Sequence, residues 1–213
     1  MRIKNWEDYS KWMGIGYTAF PKEVLFRYSG QKILDIGCGI GKHLEHLGNR
    51  DLKVGIEVTD DWVKKGRLLY KDILFIVASA YELPFKDRAF DTLIMIDVIE
   101  HLHHPKDALK EMKRVLMNNG ILILQTPNYP IKHLYDIKNW LRTEWKQDWK
   151  DDPTHVSKFS FYSIEKLVRN YFSLFESYTR NIIGESCFFY SHSFKRSTIG
   201  KLVGHKTIII AQK

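Results

Sequence analysis

The sequence predicts a single α/β domain in which a mostly parallel β-sheet is covered by helices on both faces. Between residues 30 and 126, short apolar runs rich in Ile, Leu and Val alternate with helical patterns. These runs are apolar on both faces, which is typical of strands buried between two layers of helices. The chain has 213 residues, 44% of them hydrophobic. That is enough for one hydrophobic core and too little for two ordinary domains.

The predicted elements follow one another in a regular order. Thr59 and Asp60 are residue types that commonly begin a helix, and Pro105 suits the first turn of another. The Asn-Asn-Gly segment 118–120 is typical of the end of that later helix. The predicted strands cover residues 32–36, 53–57, 74–78, 92–97, 121–126, 175–179 and 206–211. The predicted helices cover residues 42–47, 60–70, 105–116 and 163–171.

The segments that flank the regular core are longer and less regular. We predict an N-terminal cap in residues 1–29, a lid insertion in residues 127–162, and a closing part of the sheet in residues 163–213 that carries a second insertion. Long connections in a compact domain are usually lids or binding loops. Helical spacing of apolar residues within the lid fits a helix packed over a site or one lying on a membrane surface. That stripe consists of Leu134, Ile137, Leu141, Trp145 and Trp149.

The positive charge of the chain is concentrated outside its centre. The net charge is +8, yet residues 30–126 carry 14 basic and 14 acidic side chains. Residues 127–213 carry 14 basic and 8 acidic side chains. Such an excess favours an anionic partner, although a solvated lysine-rich surface that keeps the protein soluble gives the same count.

The sequence also predicts where the protein resides. The N-terminus has no apolar segment typical of a secretory signal, and no apolar run is long enough to cross a bilayer. Cys38 and Cys187 are the only cysteines, too few for a disulfide framework. We therefore expect a cytoplasmic protein.

A glycine-rich turn follows the first predicted strand. Residues 34–41 have the sequence LDIGCGIG, in which glycines permit positive φ angles and close approach of a ligand to the backbone. A dinucleotide fingerprint requires a glycine at position 42, where this chain has Lys42. Asp35 places a carboxylate where a pyrophosphate would be repelled and an ammonium group tolerated. This spacing disfavours a nicotinamide enzyme.

Glu57 ends the second predicted strand. A carboxylate at this position can accept hydrogen bonds from both hydroxyls of a ribose. The alternative is an ordinary helix-capping acid. Cys38 has glycines on both sides and no evident partner base, so we interpret it as a small loop residue and not as a nucleophile.

Five motifs in order resemble those of class I S-adenosylmethionine-dependent methyltransferases, in the small-molecule branch of the type 11 and type 23 groups. They are LDIGCGIG at 34–41, GIEVT at 55–59, AYELPF at 80–85 with FD at 90–91 and DVIEHL at 97–102, and residues 116–120 followed by the apolar residues 121–123. The resemblance covers about residues 30–126. It implies a Rossmann-like, doubly wound, seven-stranded sheet of order 3-2-1-4-5-7-6, with strand 7 antiparallel.

The resemblance also implies a role for individual residues. The methionine part of S-adenosylmethionine would lie against Asp35, Gly37, Cys38, Gly39 and Gly41. Glu57 would bind the ribose, Val58 and Trp62 would pack near the adenosine, and Ser79, Ala80 and Tyr81 would reach the adenine edge. Asp97 and Val98 would line the sulfonium side. Many relatives have an aspartate where this chain has Ser79, so the adenine contact departs from the family pattern.

Histidines lie near the predicted acceptor side. His101, His103 and His104 follow Glu100, but consecutive residues on a turn rarely converge on one ion, and we predict no metal site. His155 lies in a segment that resembles one in relatives that methylate sugars, quinones or lipid-linked groups. It is a candidate general base or acceptor ligand, or else a lid residue held by hydrogen bonds.

These observations predict methyl transfer to an oxygen, nitrogen or carbon atom of a small or lipid- or sugar-linked acceptor. The aromatic and basic flanks suit an acceptor that is partly apolar and partly anionic. Two alternatives stay open at this point. The acceptor could be RNA, recognised by the basic flanks, or the chain could bind the cofactor as a scaffold without turnover.

Overall fold

A computed structural model describes residues 20–129, 131–133, 154–183, 186–188 and 204–213. Its helices are α1 (Lys22–Tyr28), α2 (Lys42–His46), α3 (Asp60–Leu69), α4 (Pro105–Val115) and α5 (Phe161–Arg169). Its strands are β1 (Lys32–Ile36), β2 (Leu52–Glu57), β3 (Leu74–Val77), β4 (Phe90–Ile96), β5 (Leu116–Pro127), β6 (Ser173–Ile183), β7 (Ser186–Phe188) and β8 (Lys206–Gln212). A 3₁₀ turn covers Ile99–His101.

The strands form one sheet of order β3-β2-β1-β4-β5-β8-β6-β7. β1 to β5 run parallel, and β8 inserts antiparallel between β5 and β6. The predicted seven-stranded order is therefore confirmed, with β6 and β8 as its last two strands. The short β7, which pairs antiparallel with the end of β6, is an additional edge strand that the sequence did not indicate.

Two apolar layers hold the sheet, one on each face. On one face, residues of α4 and α5 such as Leu109 and Ile164 pack against the strands and are fully buried. On the other, α1 and α3 contribute Leu25 and Val63, also fully buried. α3 approaches the sheet closely at Gly66, where an added Cβ would lie 2.6 Å from the Phe75 ring. Burial of both faces of the sheet explains why the strand sequences are continuous apolar runs.

Two local expectations need correction. The Asn-Asn-Gly segment 118–120 does not terminate α4, because α4 ends at Val115 and the segment lies within β5. Asn119 there has φ +63°, a conformation that asparagine tolerates. Thr59 is the N-cap of α3 but makes no side-chain capping bond. Its backbone N–H instead donates to the Glu57 carboxylate.

Much of the predicted cap and lid falls outside the described residues. This applies to residues 1–19 and to the aromatic stripe at 134–149. In the part of the chain that the structure describes, no helix is long and apolar enough to cross a membrane.

Candidate functional site

A pocket of about 270 Å³ opens at the carboxyl ends of the parallel strands. This is the edge at which open α/β sheets bind ligands. Ten of the predicted cofactor residues line it, namely Gly37, Cys38, Glu57, Val58, Trp62, Ser79, Ala80, Tyr81, Asp97 and Val98. Asp35, Gly39 and Gly41 do not line the pocket. The lining also includes residues that sequence reasoning did not assign to the cofactor, among them His43, Ala78, His101, Leu102 and His103.

The glycine loop forms one wall of the pocket and is held by backbone hydrogen bonds. The N–H groups of Gly37 and Cys38 both donate to the Ile56 carbonyl, at 2.9 and 3.0 Å. Gly37 has φ +72°, and a Cβ added there would lie 2.3 Å from Val98 Cγ2. Glycine at this position therefore lets the loop approach the opposite wall.

Asp35 lies behind the loop and contacts a histidine that does face the pocket. Its carboxylate is 1% exposed, and its Oδ2 is 3.5 Å from His43 Nδ1. That distance is too long for a hydrogen bond, and Oδ2 has no hydrogen-bond partner. The structure thus places Asp35 beneath the pocket with His43 between it and the ligand space. His43 lies two residues after the last glycine of the motif and could have been suggested by that position.

Glu57 is fixed by three backbone donors. Its Oε1 accepts from the N–H groups of Val58 and Thr59 at 2.7 and 3.2 Å, and its Oε2 accepts from Gly39 N–H at 3.1 Å. Burial nevertheless raises the pKa of this carboxyl above its ordinary value, with the three hydrogen bonds acting in the opposite direction. The carboxylate is thereby oriented toward the pocket before any ligand binds.

The residues predicted to reach the adenine form a tight turn. Ser79 Oγ accepts a hydrogen bond from Tyr81 N–H at 3.2 Å, and Ser79 pairs with Glu82 in an isolated bridge. Tyr81 Oη in turn accepts from His104 N–H at 3.2 Å. The Ser79 hydroxyl therefore stabilises the turn itself, a role that the sequence did not predict.

Asp97 occupies a strained backbone position at the end of β4, with φ +52°. Its Oδ2 accepts from Lys206 Nζ at 2.6 Å and from Gln125 Nε2 at 3.3 Å. Arg180 Nε donates to Gln125 Oε1 at 2.8 Å. The inserted strand β8 and its neighbour β6 thus supply two cations to this end of the site. Sequence reasoning missed both, because their partners lie more than 50 residues away.

Beyond Asp97, the pocket wall is formed by the 3₁₀ turn and a segment that docks on it. Ser157 N–H donates to the Glu100 carbonyl at 2.8 Å, and Ser157 Oγ donates to the Leu102 carbonyl at 2.7 Å. This docking brings His155 to His101, with ring centroids 4.7 Å apart.

Glu100 is fully buried beneath these histidines. Thr126 Oγ1 donates to its Oε2 at 3.0 Å, whereas its Oε1 has no hydrogen-bond partner. Burial, together with the charge of Asp97, raises the pKa of Glu100 to about 8.

His155 has a defined partner of its own. Its Nδ1 lies 2.6 Å from Tyr129 Oη, and Tyr129 is itself buried. The candidate acceptor residue is thus held by a tyrosine hydrogen bond, and it lies next to His101, which lines the pocket, without lining the pocket itself. The sequence analysis offered a hydrogen-bonded His155 as one alternative but did not identify Tyr129 as the partner.

Cys38 is a pocket residue without nucleophilic character. Its side chain is buried, and burial next to Asp35 and Glu57 raises the pKa of the thiol well above its ordinary value. A neutral, buried thiol is a poor nucleophile. The geometry agrees with its interpretation as a small loop residue: an added Cβ at Gly55 would lie 2.6 Å from its sulfur.

Residues 34–124 match the sequence pattern of a family described as a methyltransferase domain. The demethylmenaquinone methyltransferase of Renibacterium salmoninarum is 32% identical over 102 residues, which are 47% of this chain and 43% of that protein. A Bacillus subtilis protein, provisionally named as a 23S rRNA (guanine-N(1)-)-methyltransferase, is 29% identical over 134 residues, 60% of this chain and 44% of that protein. The chain thus spans less than half the length of these two relatives.

Solved structures of methyltransferases have the same fold as this chain. A SAM-dependent methyltransferase from Thermotoga maritima superimposes with a TM-score of 0.66 at 19% identity, covering 97% of this chain and 95% of that one. The sequence match covers the glycine loop, Glu57 and the Asp97–Leu102 turn, and the structural match covers the whole sheet. The central part of the chain thus matches a methyltransferase-domain family, and the fold is that of S-adenosylmethionine-dependent methyltransferases.

Proposed function

We propose that the protein transfers a methyl group from S-adenosylmethionine to an acceptor that is partly apolar and carries a hydroxyl or another oxygen group. One observation carries the proposal: a single continuous pocket joins Glu57 at one end to His101 and Leu102 at the other. A cofactor bound along the glycine loop and an acceptor bound at the histidines would therefore meet in the same space.

The residues present fit the cofactor. Glu57 presents a buried, pre-oriented carboxylate at the end of β2, the acceptor that ribose hydroxyls require. The space next to Gly37 would be closed by any side chain larger than hydrogen. Val58 and Trp62 lie on the wall next to Glu57, where they can cover an aromatic base.

The main contribution of the protein to the reaction is to align the acceptor with the methyl group. S-adenosylmethionine supplies a methyl group on a positively charged sulfur, which is already activated for displacement. Among the described residues, Asp97 Oδ1 is buried without a hydrogen-bond partner while Oδ2 is paired with Lys206, so Oδ1 is an acceptor left on the side where the resemblance places the sulfonium. The rigid turn at 97–102 would hold the acceptor in line, and exclusion of water would suppress side reactions.

The lining of the pocket at its acceptor end suits an acceptor molecule that has a polar group on an apolar body. His101 and His103 line this end together with Leu102 and the Val98 side chain. Outside the pocket lining, Lys132 and Lys158 lie over the ring of Tyr129, the partner of His155, with their Nζ atoms 5.8 and 5.7 Å from its centroid. Cations above an aromatic ring suit an acceptor that has a carboxylate or phosphate group.

A second candidate acceptor is RNA. It is favoured by the similarity to the Bacillus subtilis protein and by the basic excess of residues 127–213. An RNA acceptor would show affinity that falls steeply with salt, since each phosphate contact releases counterions.

The experiment that tests the proposal is transfer of a radiolabelled methyl group. The purified protein is incubated with labelled S-adenosylmethionine and, separately, with lipid extract, polar metabolites or total RNA. We expect label in a lipid or small-molecule fraction, and much less label with Glu57→Ala when the cofactor concentration is below saturation. Labelled RNA would favour the second candidate, and no label in any fraction would support a cofactor-binding scaffold.

A further inference from the structure

We infer that Glu100, His101 and His155 form a binding site for a divalent transition-metal ion at the acceptor end of the pocket. One potential ligand atom from each of these three side chains lies within 4.8 Å of the other two. Two imidazoles and one carboxylate are a donor set that binds ions such as Zn²⁺, with further positions left open.

The site could not be recognised from sequence because its third member comes from another part of the chain. Glu100 and His101 are neighbours on the 3₁₀ turn, and His155 follows 54 positions after His101. Hydrogen bonds from Ser157 to the Glu100 and Leu102 carbonyls hold the later segment on the turn. Consecutive residues on one turn rarely converge on an ion, but here the third ligand comes from a distant segment of the chain.

Glu100 provides an observation that is independent of the clustering. It is fully buried, and within the described part of the chain its Oε1 makes no hydrogen bond. A buried carboxyl oxygen without a partner is costly unless something binds it. Its other oxygen already accepts from the Thr126 hydroxyl at 3.0 Å, as outer partners of a ligating carboxylate do.

The hydrogen bonds of His101 suit a ligand. Its Nδ1 lies 3.1 Å from the Thr154 carbonyl and 3.0 Å from the Thr154 hydroxyl. The tautomer that donates from Nδ1 to this carbonyl carries its lone pair on Nε2. A histidine held in this way by a backbone carbonyl is typical of metal sites.

His155 is oriented by a different group. The Tyr129 hydroxyl lies 2.6 Å from its Nδ1 and fixes the ring in place. Both histidine rings are therefore held by neighbours through Nδ1.

The ion would lie beside the acceptor, because His101 also lines the pocket. An acceptor oxygen could occupy an open coordination position, and a hydroxyl bound there would lose its proton to solvent more readily than a free one. This second part rests on the proposed function, whereas binding of the ion does not. Nitrogen ligands favour Zn²⁺, Mn²⁺, Fe²⁺ or Co²⁺ over Mg²⁺, which prefers oxygen.

Calorimetry on the chelator-treated protein tests the proposal directly, with ZnCl₂ as the titrant. We expect one tight equivalent in the wild type and loss of affinity by more than about 100-fold in Glu100→Gln and in His155→Asn. Thr126→Val removes only an outer partner and should cost about 10- to 100-fold. His104→Asn is the matched control, since this exposed histidine lies outside the cluster, and it should bind like the wild type.

A second measurement keeps the test independent of folding and of methyl transfer. Co²⁺ bound by these side chains should give visible d–d absorption that Glu100→Gln abolishes, while circular dichroism and the affinity for S-adenosylhomocysteine stay unchanged. The inference is overturned if the wild type binds no metal, or if His155→Asn binds Zn²⁺ as well as the wild type does. Metal binding without activity would leave this site standing and count against the proposed function alone.

Discussion

The two ends of the pocket are built in different ways. At the end proposed to bind the ribose, called the ribose end, Glu57 is held by three backbone N–H groups, two of them from the residues that immediately follow it. At the acceptor end, Glu100 and the histidines are held by side chains and by a segment that returns more than 50 residues later. The first end depends on backbone conformation, and the second depends on how distant parts of the chain dock.

The difference teaches which parts of a site a local sequence motif can encode. Strand ends and glycine turns recur with fixed spacing, so a motif of eight residues identifies them. Contacts such as that between Tyr129 and His155 span 26 positions and leave no periodic signal. The ribose end is therefore the part that resemblance predicts, and the acceptor end is the part that distinguishes this protein.

The largest expected effect tests whether backbone conformation really holds the ribose end. Gly41 has φ +90°, and an added Cβ would lie 2.5 Å from the Phe75 ring. Gly41→Ala should lower the free energy of unfolding by about 2–4 kcal/mol, through strain at positive φ and overpacking. Chemical denaturation measures this loss.

Gly48→Ala is the matched control for that substitution. Gly48 also has positive φ, at +63°, but nothing lies within 4 Å of an added Cβ. It should cost only about 1 kcal/mol. Equal losses in the two variants would mean that Phe75 yields easily and that the loop is less constrained than its geometry indicates.

The second prediction separates the two ends by ligand. Glu57→Ala should weaken S-adenosylhomocysteine binding by about 1–3 kcal/mol, because ribose hydroxyls lose their acceptor. Tyr129→Phe, at the other end, should leave that affinity unchanged. Calorimetry measures the affinity of both variants for S-adenosylhomocysteine. Equal weakening by both substitutions would show that the two ends act as one unit.

The third and smallest effect concerns the acceptor end. Tyr129→Phe removes the hydrogen bond to His155 and should lower the free energy of unfolding by about 0.5–1.5 kcal/mol. It should also lower kcat/KM for the acceptor several-fold, since His155 is no longer held in place. Steady-state kinetics measures this once an acceptor is known. An unchanged kcat/KM would leave Tyr129 a purely structural residue.

The sequence predicted the sheet well because burial on both faces leaves a strong apolar signal. Each of the strands β1 to β5, and β8, was located to within a few residues, and β5 proved longer because Asn119 tolerates a positive φ inside a strand. The edge strand β7 was not predicted, since three residues carry too little pattern.

The site was predicted unevenly for a physical reason. Pocket residues next to a strand end, such as Glu57 and Asp97, were identified from their motifs. The cation at Lys206 and the buried amide donor of Gln125 were not, because tertiary packing alone brings them to Asp97. The sequence showed that Ser79 departs from the family pattern, but only the structure shows that its hydroxyl stabilises the turn.

The measurement that tests the central claim most directly is calorimetric titration of the wild-type protein with S-adenosylhomocysteine and, separately, with NAD. The glycine spacing, the pre-oriented Glu57 and the pocket beside them predict one saturable site for S-adenosylhomocysteine and no heat from NAD. Thermal stability should rise with the first ligand only, because a ligand stabilises the state that it binds. Saturable NAD binding without a response to S-adenosylhomocysteine would contradict the claim.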